Sequence, residues 1–163
     1  MVFIDEVIFN SVLEAHGKQL DLLLGRRTYD IWSAYWPKAE KGPISDPFNA
    51  ATKYVATHHP ESLTWGPVQD LGKNIIEGIR AIKSKAGPDI ILWGSSTLAP
   101  VLIENGLADE IILIVCPVLL GKGKRFFADS AAPSKLELVS TKTASTGVIM
   151  STYKYVGPLK TEA

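Results

Sequence analysis

Short runs that are largely apolar and lack a strict polar alternation recur along this 163-residue chain, and they constrain its fold most. Residues 20–24 and 89–93 are such runs, and each is followed by a turn and by apolar residues at helical spacing. A strand of this kind is typical of a parallel sheet that helices cover on both faces. The pattern therefore predicts a three-layer α/β fold in which helices flank a central, mostly parallel sheet.

The other periodic segments complete this architecture. Strands are predicted at 53–57 and 110–120, and an antiparallel pair at 135–141 and 148–155 ends the chain. Residues 38–49 are rich in Gly, Pro and polar residues, which favours a surface loop. Helices are predicted at residues 4–15, 31–36, 74–85 and 98–105.

Composition narrows the class of function. Lys and Arg total 17 and so do Asp and Glu, so no excess of charge favours nucleic acid, and we expect a small-molecule partner. The longest apolar run, 111–120, is half as long as a membrane span of about 20 residues, and no signal peptide is visible. The lone Cys116 fits a reducing, cytoplasmic setting and a place in the core. The length predicts one domain, 1–163.

Two strand-to-helix junctions carry residue types that bind anions. A helix N-terminus offers unpaired N–H groups and the positive end of the helix dipole. Two arginines at the first junction can add charge-assisted hydrogen bonds to a phosphate, and hydroxyls at the second can donate. Alternatively, the arginines are solvated and the hydroxyls only cap a helix. The junctions comprise Gly25, Arg26, Arg27 and Thr28, and then Gly94, Ser95, Ser96 and Thr97.

Ligands of open α/β sheets bind at the carboxyl ends of the strands, so the two junctions together predict a dinucleotide with phosphates at each. Gly94 and Ser96 also match part of the nucleophile elbow of hydrolases, but Leu98 replaces its last glycine and no histidine follows. The adjacent His58 and His59 supply too few ligands for zinc, and we expect no metal.

Seven segments, in this order and spacing, carry a likeness to a known family. They are LLLGRRTYD (22–30), YWP (35–37), KYV (53–55), ILWGSSTL (91–98), GLADE (106–110), PVLLGKGKRFF (117–127) and STGV (145–148). With these segments the chain resembles the RibD C-terminal reductase family, which has a dihydrofolate-reductase-like fold and is named for riboflavin biosynthesis.

The resemblance implies that NADPH binds with its adenosine phosphates near 25–28 and its pyrophosphate at 94–97. Relatives often place a Ser-Arg pair at the 2′-phosphate, and this chain has Thr57 and His58 at those positions. Because that arginine is missing, we expect Arg26 and Arg27 to carry most of the selectivity for NADPH over NADH. The implied function is an NADPH-dependent reductase that transfers a hydride to a small heterocycle resembling a pteridine or a riboflavin precursor. The alternative is a non-catalytic NADP-binding or degenerate member. Relatives often form homodimers.

No catalytic residue is assigned. Relatives begin with a central strand and a loop beside the substrate, whereas this sequence opens with the helical pattern of 4–15, which predicts a truncated or unusual variant. Alternatively, residues 2–9 form that strand. Trp32, Tyr35 and Trp36 either line a flat heteroaromatic pocket or pack in the core, and their helical spacing favours the core.

Overall fold

The computed structural model describes residues 6–16, 19–127 and 131–160. The described chain divides into two compact units. One spans residues 9–99, and the other comprises the described residues on either side of it.

The unit of residues 9–99 is built on a parallel sheet of four strands in the order β3-β2-β1-β4. Leu22 of β1 lies opposite Lys53 of β2 and opposite Ile91 of β4, so β1 is central. Leu22 and Leu24 are completely buried, as expected for a central strand of a parallel sheet. The strands are β1 Leu20–Gly25, β2 Lys53–Ala56, β3 Val68–Asp70 and β4 Asp89–Leu92.

Helices alternate with these strands along the chain, as the sequence predicted. The described chain opens with α1, Glu6–His16, and α2, Arg26–Tyr35, follows β1 directly. Asn74 caps α4 because its side chain accepts a hydrogen bond from the N–H of Glu77. The remaining helices are α3 Ser45–Ala50, α4 Ile75–Lys83 and α5 Leu98–Glu104.

The second unit contains an antiparallel sheet in the order β5-β7-β6. The predicted C-terminal pair is confirmed as β6, Ser134–Thr143, and β7, Ile149–Pro158, and β5, Glu110–Val115, pairs with the other edge of β7. The α/β class is confirmed, with one parallel and one antiparallel sheet.

Several predicted boundaries were wrong. The segment predicted as a loop at 38–49 contains the start of α3, and β3 was not predicted, since it has a single apolar residue, Val68. The predicted strand 110–120 ends at Val115, and Cys116 beyond it is half-buried rather than a core residue. The alternative strand at 2–9 is contradicted at 6–9, which are helical, and its other residues lie outside the described chain.

Candidate cofactor-binding site

The two predicted anion-binding junctions lie side by side in the unit of residues 9–99. The chain moves from β1 outward through β2 to β3 and then returns to place β4 on the other side of β1. This reversal makes the crevice beyond the carboxyl ends of β1 and β4 the topological switch point, where open α/β sheets bind ligands. A Cβ atom on Gly25 would lie 2.7 Å from Ser95 Oγ, so any side chain at position 25 would displace the hydroxyl of Ser95.

The turn after β4 is shaped by two consecutive residues with positive φ. Gly94 has φ +62° and Ser95 has φ +65°, a conformation that costs a non-glycine residue about 1 kcal/mol or more. The Oγ atom of Ser95 accepts a hydrogen bond from the N–H of Leu98 at 3.1 Å and lies 3.2 Å from Thr97 Oγ1. Ser95 therefore caps α5, as the alternative reading of this junction predicted, while Ser96 is exposed.

The N-terminus of α2 opens at the same crevice. Gly25 is its N-cap, and within the described chain no side chain caps α2 and no acid stands in its first turn. The first N–H groups of α2 thus lack a side-chain acceptor, and the helix dipole adds positive potential. Of the predicted residues here, Arg26 and Thr28 are half-buried and Arg27 is exposed.

Arg26 joins α2 to the segment after β2. Its Nη1 donates to Thr57 Oγ1 at 3.0 Å, to Ser62 Oγ at 2.7 Å and to the carbonyl of His59 at 3.2 Å. Its Nε donates to Asp30 Oδ1 at 2.8 Å, an exposed ion pair one turn along α2. The guanidinium is therefore held in place by groups of this chain.

A cleft of about 200 Å³ lies beside this guanidinium, beyond the carboxyl ends of the parallel strands. Three predicted residues, Arg26, Thr57 and His58, share it, whereas Arg27 and the second junction do not line it. Arginine and lysine side chains give the cleft positive charge, and histidines add donors. The lining residues are Arg26, Ala56, Thr57, His58, His59, Gly72, Lys73 and Ile75.

Sequence reasoning missed the side of the cleft formed by the connection from β3 to α4. Lys73 comes from this connection, and Gly72 before it has φ +76° and donates its N–H to Asp70 Oδ1 at 2.6 Å. The sequence did mark this connection, because Gly-Lys-Asn at 72–74 precedes a helical pattern. That run indicates a binding loop only if the residues before it are recognised as a parallel strand, β3.

His59 was considered only as a metal ligand, and it lines the cleft. Its Nδ1 lies 3.2 Å from Glu61 Oε1. The pKa of the exposed Glu61 is held below its usual value by its own backbone N–H and by the neighbouring His59 and Arg26. This carboxylate is ionised and partners His59.

The segment from Thr57 to Trp65 is fixed at its far end as well. Tyr29, buried in α2, accepts hydrogen bonds on its hydroxyl from the N–H groups of Thr64 at 2.8 Å and Trp65 at 2.7 Å. Trp65 Nε1 donates to Asn49 Oδ1 at 2.9 Å. One helix therefore positions the whole segment, through Arg26 at the cleft and Tyr29 at the other end.

An aromatic cluster packs on the same unit. Trp32 stacks on Phe48 with ring centroids 5.1 Å apart, and Phe9 lies 5.1 Å from Trp93. Trp36 is buried and Trp32 half-buried, so packing in the core describes both. Tyr35 differs because it is 62% exposed. Within the described residues the buried Nε1 atoms of Trp36 and Trp93 have no hydrogen-bond partner.

Comparison with known proteins identifies the family. The model of the RibD C-terminal domain matches residues 14–150. The chain belongs to the RibD C-terminal domain family. It is 32% identical over 148 residues to a Bacillus subtilis (strain 168) protein named "Uncharacterized protein YyaP", covering 85% of this chain and 76% of that protein.

Solved structures confirm the predicted fold of this RibD-type domain. A putative riboflavin biosynthesis protein from Shewanella sp. PV-4 superposes with a TM-score of 0.67 at 18% identity, covering 94% of this chain and 81% of that one. A pyrimidine reductase-like protein from Corynebacterium diphtheriae gives 0.65 at 15% identity, covering 93% and 82%. Family and fold support a reductase-like role.

Among the described residues, no helix is long and apolar enough to cross a membrane. No group of three or more His, Cys, Asp or Glu side chains in this part of the chain is arranged to hold a metal ion.

Proposed function

We propose that this chain binds NADPH and reduces a small heterocyclic substrate, of the pteridine or riboflavin-precursor type. The cationic cleft beside Arg26 carries the proposal, because it lies beyond the carboxyl ends of the strands, next to the switch point. The 2′-phosphate that distinguishes NADPH from NADH needs such a place. Arg26, Thr57, His58 and Lys73 would hold it.

The rest of the cofactor fits the two junctions. The uncapped first turn of α2, which includes Thr28, would receive an anionic group of the dinucleotide through its N–H groups. The turn at Gly94 and Ser95, whose Ser95 hydroxyl lies close to Gly25, would receive the pyrophosphate. These features support a dinucleotide running across the crevice.

When bound, NADPH supplies a hydride, and the protein supplies binding and orientation. The fixed segment from Thr57 to Trp65 keeps the cleft preorganised, which lowers the entropy lost on binding. We assign no proton donor. A cytoplasmic location also stays a prediction.

A second candidate is a non-catalytic NADPH-binding protein. It is favoured by the aromatic cluster, because Phe9, Trp32 and Phe48 pack against Trp93 at the end of β4. Rings of this chain thus pack together beside the residue that follows the carboxyl end of β4. Oxidation of NADPH by a panel of pterin and flavin-precursor substrates separates the two candidates, because only the reductase shows turnover.

Titration calorimetry with NADPH and NADH tests the cofactor site. A preference for NADPH of tenfold or more is expected, and Arg26→Ala should weaken NADPH binding by about 1.5 to 3 kcal/mol, since a hydrogen bond to a charged group has that magnitude. NADH binding should change little. The matched control is Arg27→Ala, which lies in the same turn but outside the cleft and should keep the preference. Equal losses of both cofactors in Arg26→Ala would contradict the proposal.

We also propose a homodimer that forms through the antiparallel sheet. Val115 of β5 and Ile149 of β7 lie directly opposite each other and are 58% and 41% exposed, and Leu138 of β6, on the same face, is 54% exposed. Adjacent exposed apolar side chains of this size favour association. Sedimentation should show a dimer that Ile149→Lys dissociates, whereas Val156→Lys, at an exposed position near the other end of β7, should not. A monomeric wild type would contradict the proposal.

A further inference from the structure

Ser62 does not line the cationic cleft, but it contacts the arginine that does. It ends a short 3₁₀ helix, Pro60–Ser62, between β2 and β3. Its Oγ accepts a hydrogen bond from Arg26 Nη1 at 2.7 Å and donates one to the carbonyl of His59 at 2.7 Å. The same carbonyl accepts a hydrogen bond from Arg26 Nη1 at 3.2 Å. One hydroxyl therefore holds the guanidinium directly and also holds a second acceptor of that guanidinium.

The contacts of Arg26 decide which of its donors a ligand can use. A guanidinium has five N–H donors, one on Nε and two on each Nη atom. The donor on Nε goes to Asp30, and Nη1, with two donors, meets three acceptors on Thr57, His59 and Ser62. Among the described residues, no group accepts a hydrogen bond from Nη2. Nη2 is therefore the nitrogen that Arg26 retains for a ligand.

We infer that Ser62 is a positioning residue that raises the preference for NADPH over NADH, because it holds Arg26 in the orientation that leaves Nη2 for the 2′-phosphate. This inference rests on the proposed NADPH site and adds a residue that determines its specificity. NADH has no 2′-phosphate, so a contact from Nη2 benefits NADPH alone. Ser62 itself touches neither cofactor and acts through Arg26.

The benefit comes from fixing a flexible side chain before the ligand arrives. An arginine side chain has many rotamers, and the freedom that it loses on binding is subtracted from affinity. The contact with Ser62 is the shortest of the three that Nη1 makes, and the Ser62 hydroxyl also holds the His59 carbonyl. Loss of this hydroxyl removes one contact of the guanidinium and loosens another. The contact with Thr57, at 3.0 Å, then remains.

Ser62 separates positioning from direct binding better than Thr57 does. Thr57 lines the cleft and can itself meet a phosphate, so a substitution there would change two things at once. Ser62 is exposed and lies outside the lining of the cleft. Ser84 provides the matched control, because its Oγ also donates to the carbonyl three residues earlier, that of Ala81, at 2.8 Å, and it too is exposed.

Titration calorimetry of the full chain with NADPH and NADH measures the effect. Ser62→Ala should bind NADPH about three- to tenfold more weakly, the cost of immobilising one long side chain, and should bind NADH like the wild type. Ser62→Thr keeps a hydroxyl and should restore most of the loss. Ser84→Ala should keep both affinities. Thermal unfolding of each variant checks that the fold is retained.

Combination with Arg26→Ala tests whether Ser62 acts through the guanidinium. If it does, the double variant binds NADPH as Arg26→Ala alone does, because no guanidinium is left for the second substitution to disturb. If Ser62 only supports its own turn, the two losses add, as they do for independent positions.

The results separate the role of Ser62 from the cofactor site itself. Unchanged or tighter binding of NADPH by Ser62→Ala, an equal loss of both cofactors, or additive losses in the double variant would overturn the role of Ser62. The cofactor site stands in those cases if Arg26→Ala loses the preference for NADPH. If Arg26→Ala keeps the preference, or if the wild type binds neither cofactor, both proposals are overturned.

Discussion

Lys53, the first residue of β2, provides the prediction whose magnitude follows most directly from the structure. Its side chain is completely buried, and Nζ donates to the carbonyls of Asn49 at 2.7 Å and Gly66 at 3.2 Å. Nζ also lies 4.3 Å from the centre of the Trp65 ring. Burial lowers the pKa of Lys53 from 10.5 to about 8, because removal from water disfavours the charged amine.

The sign of the resulting pH dependence follows from linkage. Between about pH 8 and 10.5 the unfolded chain keeps the proton on Lys53 and the folded protein releases it, so stability rises with pH. The difference between 10.5 and about 8, at 1.36 kcal/mol for each pKa unit, gives a total rise of about 3 kcal/mol. Roughly 2 kcal/mol of this rise falls between about pH 7.5 and 9.5.

Urea unfolding at several pH values across that window measures the rise. Tyr54 sets the upper limit, because burial and the nearby Asp21 raise its pKa, and a raised tyrosine pKa makes stability fall with pH in more alkaline solution. Lys53→Met keeps the length of the side chain and removes the titrating amine, so its stability should be nearly independent of pH in this window. A wild-type curve that is flat, or a Lys53→Met curve as steep as the wild type, would refute the reasoning.

Two further substitutions test contacts that support the site. Tyr29→Phe removes the acceptor of two backbone N–H groups and should lower the free energy of unfolding by about 1 to 3 kcal/mol, whereas Tyr35→Phe, at an exposed ring, should change it by less than about 0.5 kcal/mol. Gly78→Ala in α4 should destabilise the protein by about 1 to 3 kcal/mol, because the Cβ of the alanine would clash with the carbonyl of Leu71. The high helix propensity of alanine would offset only part of this cost. Gly87→Ala, which meets open space, should be nearly neutral in the same thermal unfolding assay, and a Gly78→Ala variant as stable as Gly87→Ala would contradict the clash.

The parallel sheet and the meeting of the two junctions could be predicted because their signals are local. The runs at 20–24 and 89–93 are apolar enough to mark buried strands, and each passes directly into a turn. Once both strands belong to one parallel sheet, their carboxyl ends share an edge. The contact between Gly25 and Ser95 follows from that adjacency.

The rest of the site depends on contacts distant in sequence or on short elements. β3 has three residues, and only Val68 is apolar, so no period of two can be recognised. Without β3 there was no reason to expect Lys73 in the same cleft as His58. The burial of Lys53 could not be predicted from the sequence either, because a lysine in a short strand ordinarily faces water. Its partners Gly66 and Trp65 lie more than ten residues away along the chain.

The structure also changes which basic residues we expect to select the 2′-phosphate of NADPH. Arg26 and Arg27 were expected to carry most of it, yet Arg27 lies outside the cleft, and Nε and Nη1 of Arg26 already donate to groups of this chain. In the proposed site Arg26 would therefore offer the phosphate its fixed charge and the guanidinium donors that these contacts leave, and it would position the segment that follows β2. Lys73 and His58, which come from two different loops, would supply the other donors.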